Sequence, residues 1–284
     1  MAYTINIHAK TRKGEAEARK RARRKWRVQT TGKGFFDANC SLGAPMNEMV
    51  CHADTVADLY AEMDRNGVDK ALVAYLNAQS AGPVFANHTL AEMLEDDAEG
   101  RLYGVWQILP EDCDELPHGE AFFKAMKERR IVAATHLAGP GRWVPCRLTI
   151  GGVMDGLRER RIPLLTSPTN YADGWTGLYR FIEEFPENIY ILIPGGLWGT
   201  DRVIRPLLAN YPNTYLETST FWQPEGLRDI ARKYGADRIV YGSGFPKFNQ
   251  GAMMTVVHNL ELDEAERRLI ASGNLERIIS EEQL

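Results

Sequence analysis

Two residues in this chain of 284 are placed to move protons. His136 ends a short apolar run, Val132 to Leu137, just before Gly139-Pro140-Gly141. Its imidazole is the side chain that titrates nearest neutrality, which makes it a candidate general acid or base, with a hydrogen-bonded structural histidine as the alternative. Glu217 lies in a second run, Thr214 to Thr218; burial there would raise its pKa and suit it to general base work, whereas an ion pair with Arg or Lys would hold it ionised. Asn39, Ser41, Gln107, Ser167, Thr169, Asn170 and Ser219 occupy the ends of comparable runs and offer neutral hydrogen bonds. Trp106, Trp143, Trp175, Trp198, Phe221, Trp222 and Phe245 fall in or beside the same places. A few polar groups inside an aromatic rim suit a small-molecule pocket; the competing readings are packing at one end of the fold or a subunit contact. Lys247 is a candidate anchor for a carboxylate or phosphate, or else a solvated loop residue. Cys51 and His52 are neighbours in sequence, which does not by itself set a base against a thiol.

The elements that must position these residues form a regular series. Candidate strands are Phe35 to Ser41, Lys70 to Tyr75, Leu102 to Leu109, Val132 to Leu137, Pro163 to Ser167, Ile189 to Ile193, Thr214 to Thr218 and Arg238 to Tyr241. Their starts recur about every 29 residues, one βα unit each time. Amphipathic runs fall between them, at Thr55 to Asn66, Thr89 to Glu99, Glu120 to Arg129, Met154 to Arg161, Trp175 to Glu184, Asp201 to Asn210, Pro224 to Tyr234 and Gln250 to Leu260. Eight of each predict an α/β fold, a (β/α)8 TIM barrel; an open doubly wound sheet would need a Gly-rich dinucleotide fingerprint that no strand carries. Leu262 to Leu284 read as two more short helices outside the barrel. In such a barrel the chemistry belongs at the C-terminal ends of the strands. Cys40, one residue from Ser41, is expected to face the helix layer. Leu94 to Arg101 reads as a solvated acidic helix end.

Composition sets the outer bounds. With 44% hydrophobic and 25% charged residues the chain is globular rather than disordered. It holds no apolar stretch of membrane-spanning length and no apolar centre of a secretory signal near its first residues, so a cytoplasmic protein with no membrane partner is expected. Four cysteines without a CxxC pair read as reduced thiols. The net charge of -4 conceals an asymmetry: residues 1–33 hold eleven Lys or Arg against two Glu, a net of +9, which leaves -13 for residues 34–284. Two parts are therefore expected, a basic extension over 1–33 and a barrel over 34–284. A short basic helix from Gly14 to Val28 would dock on the acidic body of its own or a neighbouring subunit, the latter making a homo-oligomer; nucleic acid is the less favoured partner, since no stacking platform accompanies the charge.

The run Phe36-Asp37-Ala38-Asn39-Cys40-Ser41-Leu42-Gly43 resembles the opening of the amidohydrolase-related family, in which the first strand ends D-x-H-x-H-x-G. Arg238 to Pro246 (RIVYGSGFP) is similar to that family's strand 8, which normally ends G-S-D-x-P, and Gly273-Asn274-Leu275-Glu276-Arg277 is similar to its closing helix. Pro163 to Ser167 and Ile191 to Gly196 match the shape of strands 5 and 6, normally ending in His and in H-x-G-G. The resemblance covers about Phe35 to Ile279 and implies a TIM barrel that hydrolyses or decarboxylates small organic molecules, with a zinc-like cation held by four His and one Asp. At those five positions this chain carries Asn39, Ser41, Ser167, Pro194 and Gly244, none of which replaces an imidazole or a catalytic carboxylate.

The expectation is a barrel of this family with no metal and no other cofactor, which binds a small polar or carboxylated molecule through Asn39, Ser41, Gln107, Ser167, Asn170, Trp198, Ser219 and Lys247. Two alternatives stand beside it. One is a metal-independent lactone or ester hydrolase using His136 or Glu217, with hydrogen-bond donors in place of the metal to stabilise the developing oxyanion. The other is an interaction protein acting through its basic arm.

Overall fold

A computed structural model describes residues 34–196 and 199–284. The proposed basic helix over Gly14 to Val28 and the site residue Trp198 lie outside the described residues. Eight parallel strands pair in chain order: β1 (Phe35–Leu42), β2 (Val68–Tyr75), β3 (Leu102–Gln107), β4 (Ile131–Thr135), β5 (Leu164–Thr166), β6 (Tyr190–Leu192), β7 (Thr214–Glu217) and β8 (Ile239–Val240). The chain after β8 returns to β1 through Ala38 N to Tyr241 O (2.9 Å), Gly244 N to Asn39 O (2.8 Å) and Ser41 N to Phe245 O (2.9 Å). These bonds close the sheet into a TIM barrel.

Strand alternation sorts the apolar residues into two cores. Phe36, Leu72, Val105, Ala133, Leu165, Ile191, Tyr215 and Val240 pack together inside the barrel. Phe35, Cys40, Trp106, Ala134, Leu164, Leu192, Leu216 and Ile239 pack outward against the helices, with Cys40 on that side as the strand reading expects. Between Asp37 and Cys40 the β1–β2 register shifts. That irregularity changes the phase of the strand, so that Asp37 and Cys40 face the helices while the polar end of β1 serves the interior.

Three helices, Trp175–Glu184, Asp201–Asn210 and Pro224–Tyr234, have the boundaries that their amphipathic patterns predict. Two others are displaced. The second begins at Pro83 rather than Thr89 and ends at Leu94, because Pro83 occupies its first turn, where the missing N–H costs nothing, and this register buries Ala86, Leu90 and Leu94. The stretch after it is solvated as expected at Glu95, Asp96, Ala98, Glu99 and Gly100, and Asp97 is the exception. Asp97 is buried and accepts hydrogen bonds from Leu102 N, Arg101 N, the Arg130 guanidinium and the Tyr60 hydroxyl, tying the second helix to β3. The helix expected from Met154 starts earlier, at Arg147, and Gly152 and Gly156 within it leave space that Glu111 and Phe123 fill.

The tail supplies the barrel floor. Leu275 and Ile278, from the helix Asn274–Ser280, join the interior core, and the buried Asn274 amide donates to Ala236 O (2.8 Å) and Ile239 O (2.7 Å) around the start of β8. Arg277 reaches Tyr215 Oη at 3.3 Å. Among the described residues no helix is long and apolar enough to cross a membrane. Replacing Asn274 by Ala removes two buried hydrogen bonds, each worth about 0.5–1.5 kcal/mol, although Ala236 O keeps the Ile239 N–H. Urea unfolding of Asn274→Ala should therefore show a midpoint well below that of the parent; an unchanged midpoint would remove the tail from the account of barrel stability.

Candidate active site

The β7 register decides a question that the sequence leaves open. Tyr215 belongs to the interior core and Leu216 to the outer one, so Glu217 points into the barrel near its C-terminal end. Both carboxyl oxygens are engaged by the residue two positions on: Ser219 N donates to Oε1 at 2.7 Å, and Ser219 Oγ lies 2.7 Å from Oε2. Asn39 completes the group, its Nδ2 donating to Ser219 Oγ at 3.1 Å across the β7 and β1 ends. Glu217 and Ser219 are fully buried, and Asn39 is half-buried. None of the ion pairs among the described residues involves Glu217. Burial, reinforced by the nearby Asp37 carboxyl and only partly opposed by the Ser219 hydrogen bonds, pushes Glu217 up to about 8.

Glycines after β8 make this arrangement sterically feasible. A Cβ on Gly242 would collide with Glu217 Oε1. Gly244 has φ +71°, and a Cβ there would stand 3.1 Å from Ser219 Cβ. The side chain that the family resemblance calls for at position 244 would therefore be strained in its backbone and crowded by Ser219.

Behind the strands lies a second carboxyl group. Asp37 accepts from Ser243 N (2.8 Å), Ser243 Oγ (2.5 Å), Asn39 N (3.1 Å) and Gln250 Nε2 (3.2 Å). Burial pushes it up to about 6 against those bonds. It faces the helix layer and fastens β1 to the chain after β8, which fixes the Asn39 backbone. Asp37 and Ser243 lie within the two motifs that resemble the family but carry no mark of a site role in the sequence; their pairing is signalled only by two small polar motifs on strands that a closed barrel makes neighbours. Nothing in the sequence marks Gln250.

His136 has a different setting. It is fully buried, on the side of β4 that Ala134 shares, with its ring 4.9 Å from that of Tyr171, 5.3 Å from that of Phe181 and 5.7 Å from that of Trp143. Nδ1 accepts the Ala138 N–H (3.4 Å), so Nε2 carries the proton and donates to Tyr171 Oη (3.1 Å), which in turn meets Thr166 Oγ1 at 2.9 Å. Burial alone pushes it down to about 3, leaving it neutral. These are the surroundings of the structural alternative, and the strand parity that turns the ring outward explains them.

The other residues divide as follows. Gln107 is buried at the end of β3 on the interior side, its backbone clasped by Asn87 (2.7 and 2.8 Å), and its Oε1 has no donor among the described residues. Ser167 Oγ is occupied by Thr169, whose Oγ1 lies 3.0 Å away. Asn170 is buried in the short turn Pro168–Asn170. Ser41 is half-buried beside Asn39. Lys247 is exposed, its Nζ 5.6 Å from the Phe248 ring centroid. The aromatic rim is partly corrected: Trp106, Phe221 and Phe245 are buried in the outer core, and Trp143 and Trp175 pack against it. Trp222 remains exposed and donates to Ser219 O (2.9 Å). Cys51 is half-buried, while His52 faces Met49 O (3.3 Å) and Asp54 (3.4 Å).

A zinc-like cation does not suit this donor set. Asn39, Ser41, Ser167, Pro194 and Gly244 provide neutral oxygens or no side-chain donor at all, and Ser167 and Asn39 are already hydrogen-bonded to neighbours. The two carboxyl groups are held by hydroxyl and amide donors, with Asp37 turned to the helix side. Among the described residues, no group of three or more His, Cys, Asp or Glu is arranged to hold a metal ion.

Over residues 37–279 the sequence matches the amidohydrolase family, and the chain belongs to it. No curated protein matches the chain. Among solved structures, an uncharacterised TIM-barrel protein from Bordetella bronchiseptica is similar at 16% identity and TM-score 0.68, covering 87% of this chain and 99% of that one. A 2,6-dihydroxybenzoate decarboxylase from Rhizobium matches at 14% identity and TM-score 0.64, covering 88% and 99%. A dihydroxybenzoic acid decarboxylase from Polaromonas, solved with manganese and an inhibitor, matches at 15% identity and TM-score 0.67, covering 88% and 97%. At these identities the likeness is one of fold.

The raised Glu217 has a thermodynamic signature. A carboxyl group whose pKa is higher in the folded than in the unfolded chain makes folding more favourable while protonated, and that advantage is lost as pH rises from about 4.5 to about 8. The slope from this one group reaches about 1.4 kcal/mol per pH unit. Glu217→Gln, whose amide can keep both Ser219 contacts, should flatten the fall in stability across that window in urea melts at several pH values. An identical slope in the variant would show that Glu217 titrates normally.

Proposed function

We propose that this barrel works without a resident metal and binds a small polar or carboxylated molecule at the C-terminal ends of its strands. The observation that carries the reading is the donor set: five positions that would have to grip a cation carry Asn39, Ser41, Ser167, Pro194 and Gly244, and the space where a strand 8 carboxylate would stand is shared with Ser219 beside Gly244. What remains is a neutral, hydrogen-bonding end to the barrel. Gln107 contributes a buried acceptor in search of a donor, so a ligand bearing a hydroxyl or N–H group is favoured.

A second reading has one specific support. With its pKa near 8, Glu217 holds a proton at neutral pH on a buried carboxyl group, which suits it to giving a proton through Ser219 rather than acting as the general base expected from sequence. In that scheme water adds to the carbonyl carbon of a lactone or ester, with Asn39 and Ser41 holding the carbonyl oxygen. The acyl C–O bond breaks as Glu217 protonates the leaving oxygen through Ser219, and the Glu217 carboxylate takes back the proton that the water sheds. The rate of that scheme would rest on hydrogen-bond donors to the developing oxyanion.

Protein purified without added metal, and again after chelator treatment, tests the main reading. Substoichiometric transition metal by elemental analysis and an unchanged melting temperature after chelation are the expected results. About one equivalent of zinc, iron or manganese that chelation removes together with stability or ligand binding would overturn it. Hydrolysis of lactone and ester probes that survives chelation and falls in Glu217→Gln would favour the second reading.

A further inference from the structure

We propose that Glu217, acting through Ser219, sets which end of the Asn39 amide is presented to the barrel mouth, and so selects a carboxylate as the group bound there. The inference rests on the ligand-binding reading above and names the chemistry of its ligand. Three groups stand in line: Glu217 Oε2, Ser219 Oγ at 2.7 Å, and the Asn39 amide 3.1 Å beyond. Oε1 already accepts the Ser219 N–H, so a proton on this carboxyl group belongs on Oε2, against Ser219 Oγ.

A hydroxyl has one hydrogen to give. When Glu217 is ionised, Ser219 gives its hydrogen to Oε2 and accepts from Asn39 Nδ2, which leaves Asn39 Oδ1 free. When Glu217 is protonated, Oε2–H donates to Ser219 Oγ. If Asn39 Nδ2 also kept donating to it, the Ser219 hydrogen would have no acceptor at a fully buried position, at a cost of about 1–3 kcal/mol. Turning the amide over removes that cost: Ser219 then donates to Asn39 Oδ1, and the Asn39 NH2 group is presented outward. The backbone need not move, because Asn39 N on Asp37 Oδ1 (3.1 Å) and Asn39 O accepting from Gly244 N (2.8 Å) hold it in both states.

Burial first, and then Asp37 on β1, raise the Glu217 pKa, and together they outweigh the lowering by the Ser219 hydrogen bonds and the Asn39 amide. Tyr241, after β8, is a phenol whose own pKa burial raises, and Tyr215 lies one step back along β7. No cation among the described residues pairs with it. At neutral pH the line therefore runs outward from the acid and ends in two amide hydrogens, which suits an anion; at high pH it runs inward and ends in a carbonyl oxygen, which repels one.

The relay is tested without ligand. In protein carrying 15N only at asparagine side chains and 13C at glutamate carboxyls, the Asn39 amide signal, identified by its loss in Asn39→Ser, should shift with pH at the same midpoint as Glu217. Glu217→Gln should make it independent of pH, and Ser219→Ala should leave Glu217 titrating while the Asn39 signal no longer follows. An Asn39 signal that ignores Glu217, or that still follows it in Ser219→Ala, overturns the relay. Benzoate and benzamide then serve as probes. Benzoate affinity should fall about tenfold per pH unit above the Glu217 midpoint, with benzamide indifferent and Glu217→Gln binding benzoate equally at all pH. If the Asn39 signal follows Glu217 but benzoate binds no better than benzamide, the selection of a carboxylate is wrong although the relay holds; if neither probe nor any other small acid binds, the ligand-binding reading is what has failed.

Discussion

Closure of the chain after β8 onto β1 is the contact on which the rest of the site depends. Three backbone hydrogen bonds make the seam, and Asp37 secures it from the helix side through Ser243 and Gln250. Because Asn39 gives its carbonyl to this seam and its N–H to the Asp37 carboxyl that secures it, its side chain is delivered to a fixed place beside Ser219. The same closure brings Gly242 and Gly244 against Glu217 and Ser219, where only the absence of a Cβ lets the buried acid fit. A seam that looks purely architectural therefore decides which polar groups meet.

An uncompensated acid inside a barrel needs such support. Burial of an ionised carboxylate without a cation is costly, and the chain meets that cost by leaving Glu217 protonated rather than by supplying an Arg or Lys. Asp37, with four hydrogen-bond donors, is raised less. The two carboxyl groups are close enough for each charge to discourage the other, so the donors around them determine which ionises first.

Much of this was legible in the sequence. The spacing of apolar runs gives the barrel and all eight strands within a few residues, because a buried parallel strand leaves little choice of side chain. Cys40 is assigned correctly by alternation from Ser41. Side-chain destinations were harder. His136 and Trp106 sit at strand ends where a site is expected, yet one residue of strand phase turns both into the outer core, and phase depends on irregularities such as the β1 shift that no local pattern reveals. The acidic run from Leu94 to Arg101 reads as surface and is largely so; Asp97 alone of its acidic residues turns inward, because the backbone N–H groups of Arg101 and Leu102 at the start of β3 take it as their acceptor. Asn39, Ser219 and Glu217 are each legible as polar strand-end residues but not as a unit, since contact between the β1 and β7 ends is a property of the closed barrel alone.

The floor of the barrel has a consequence for how the chain reaches its folded state. Leu275 and Ile278 seal an interior whose first wall contains Phe36, so nearly the whole domain separates the two sides of a single apolar cluster. Contacts of such long range form late, since the intervening chain must be ordered before they can add stability. Docking of the last helix is therefore the step that completes burial of Leu165, Ile191 and Tyr215 in the barrel interior.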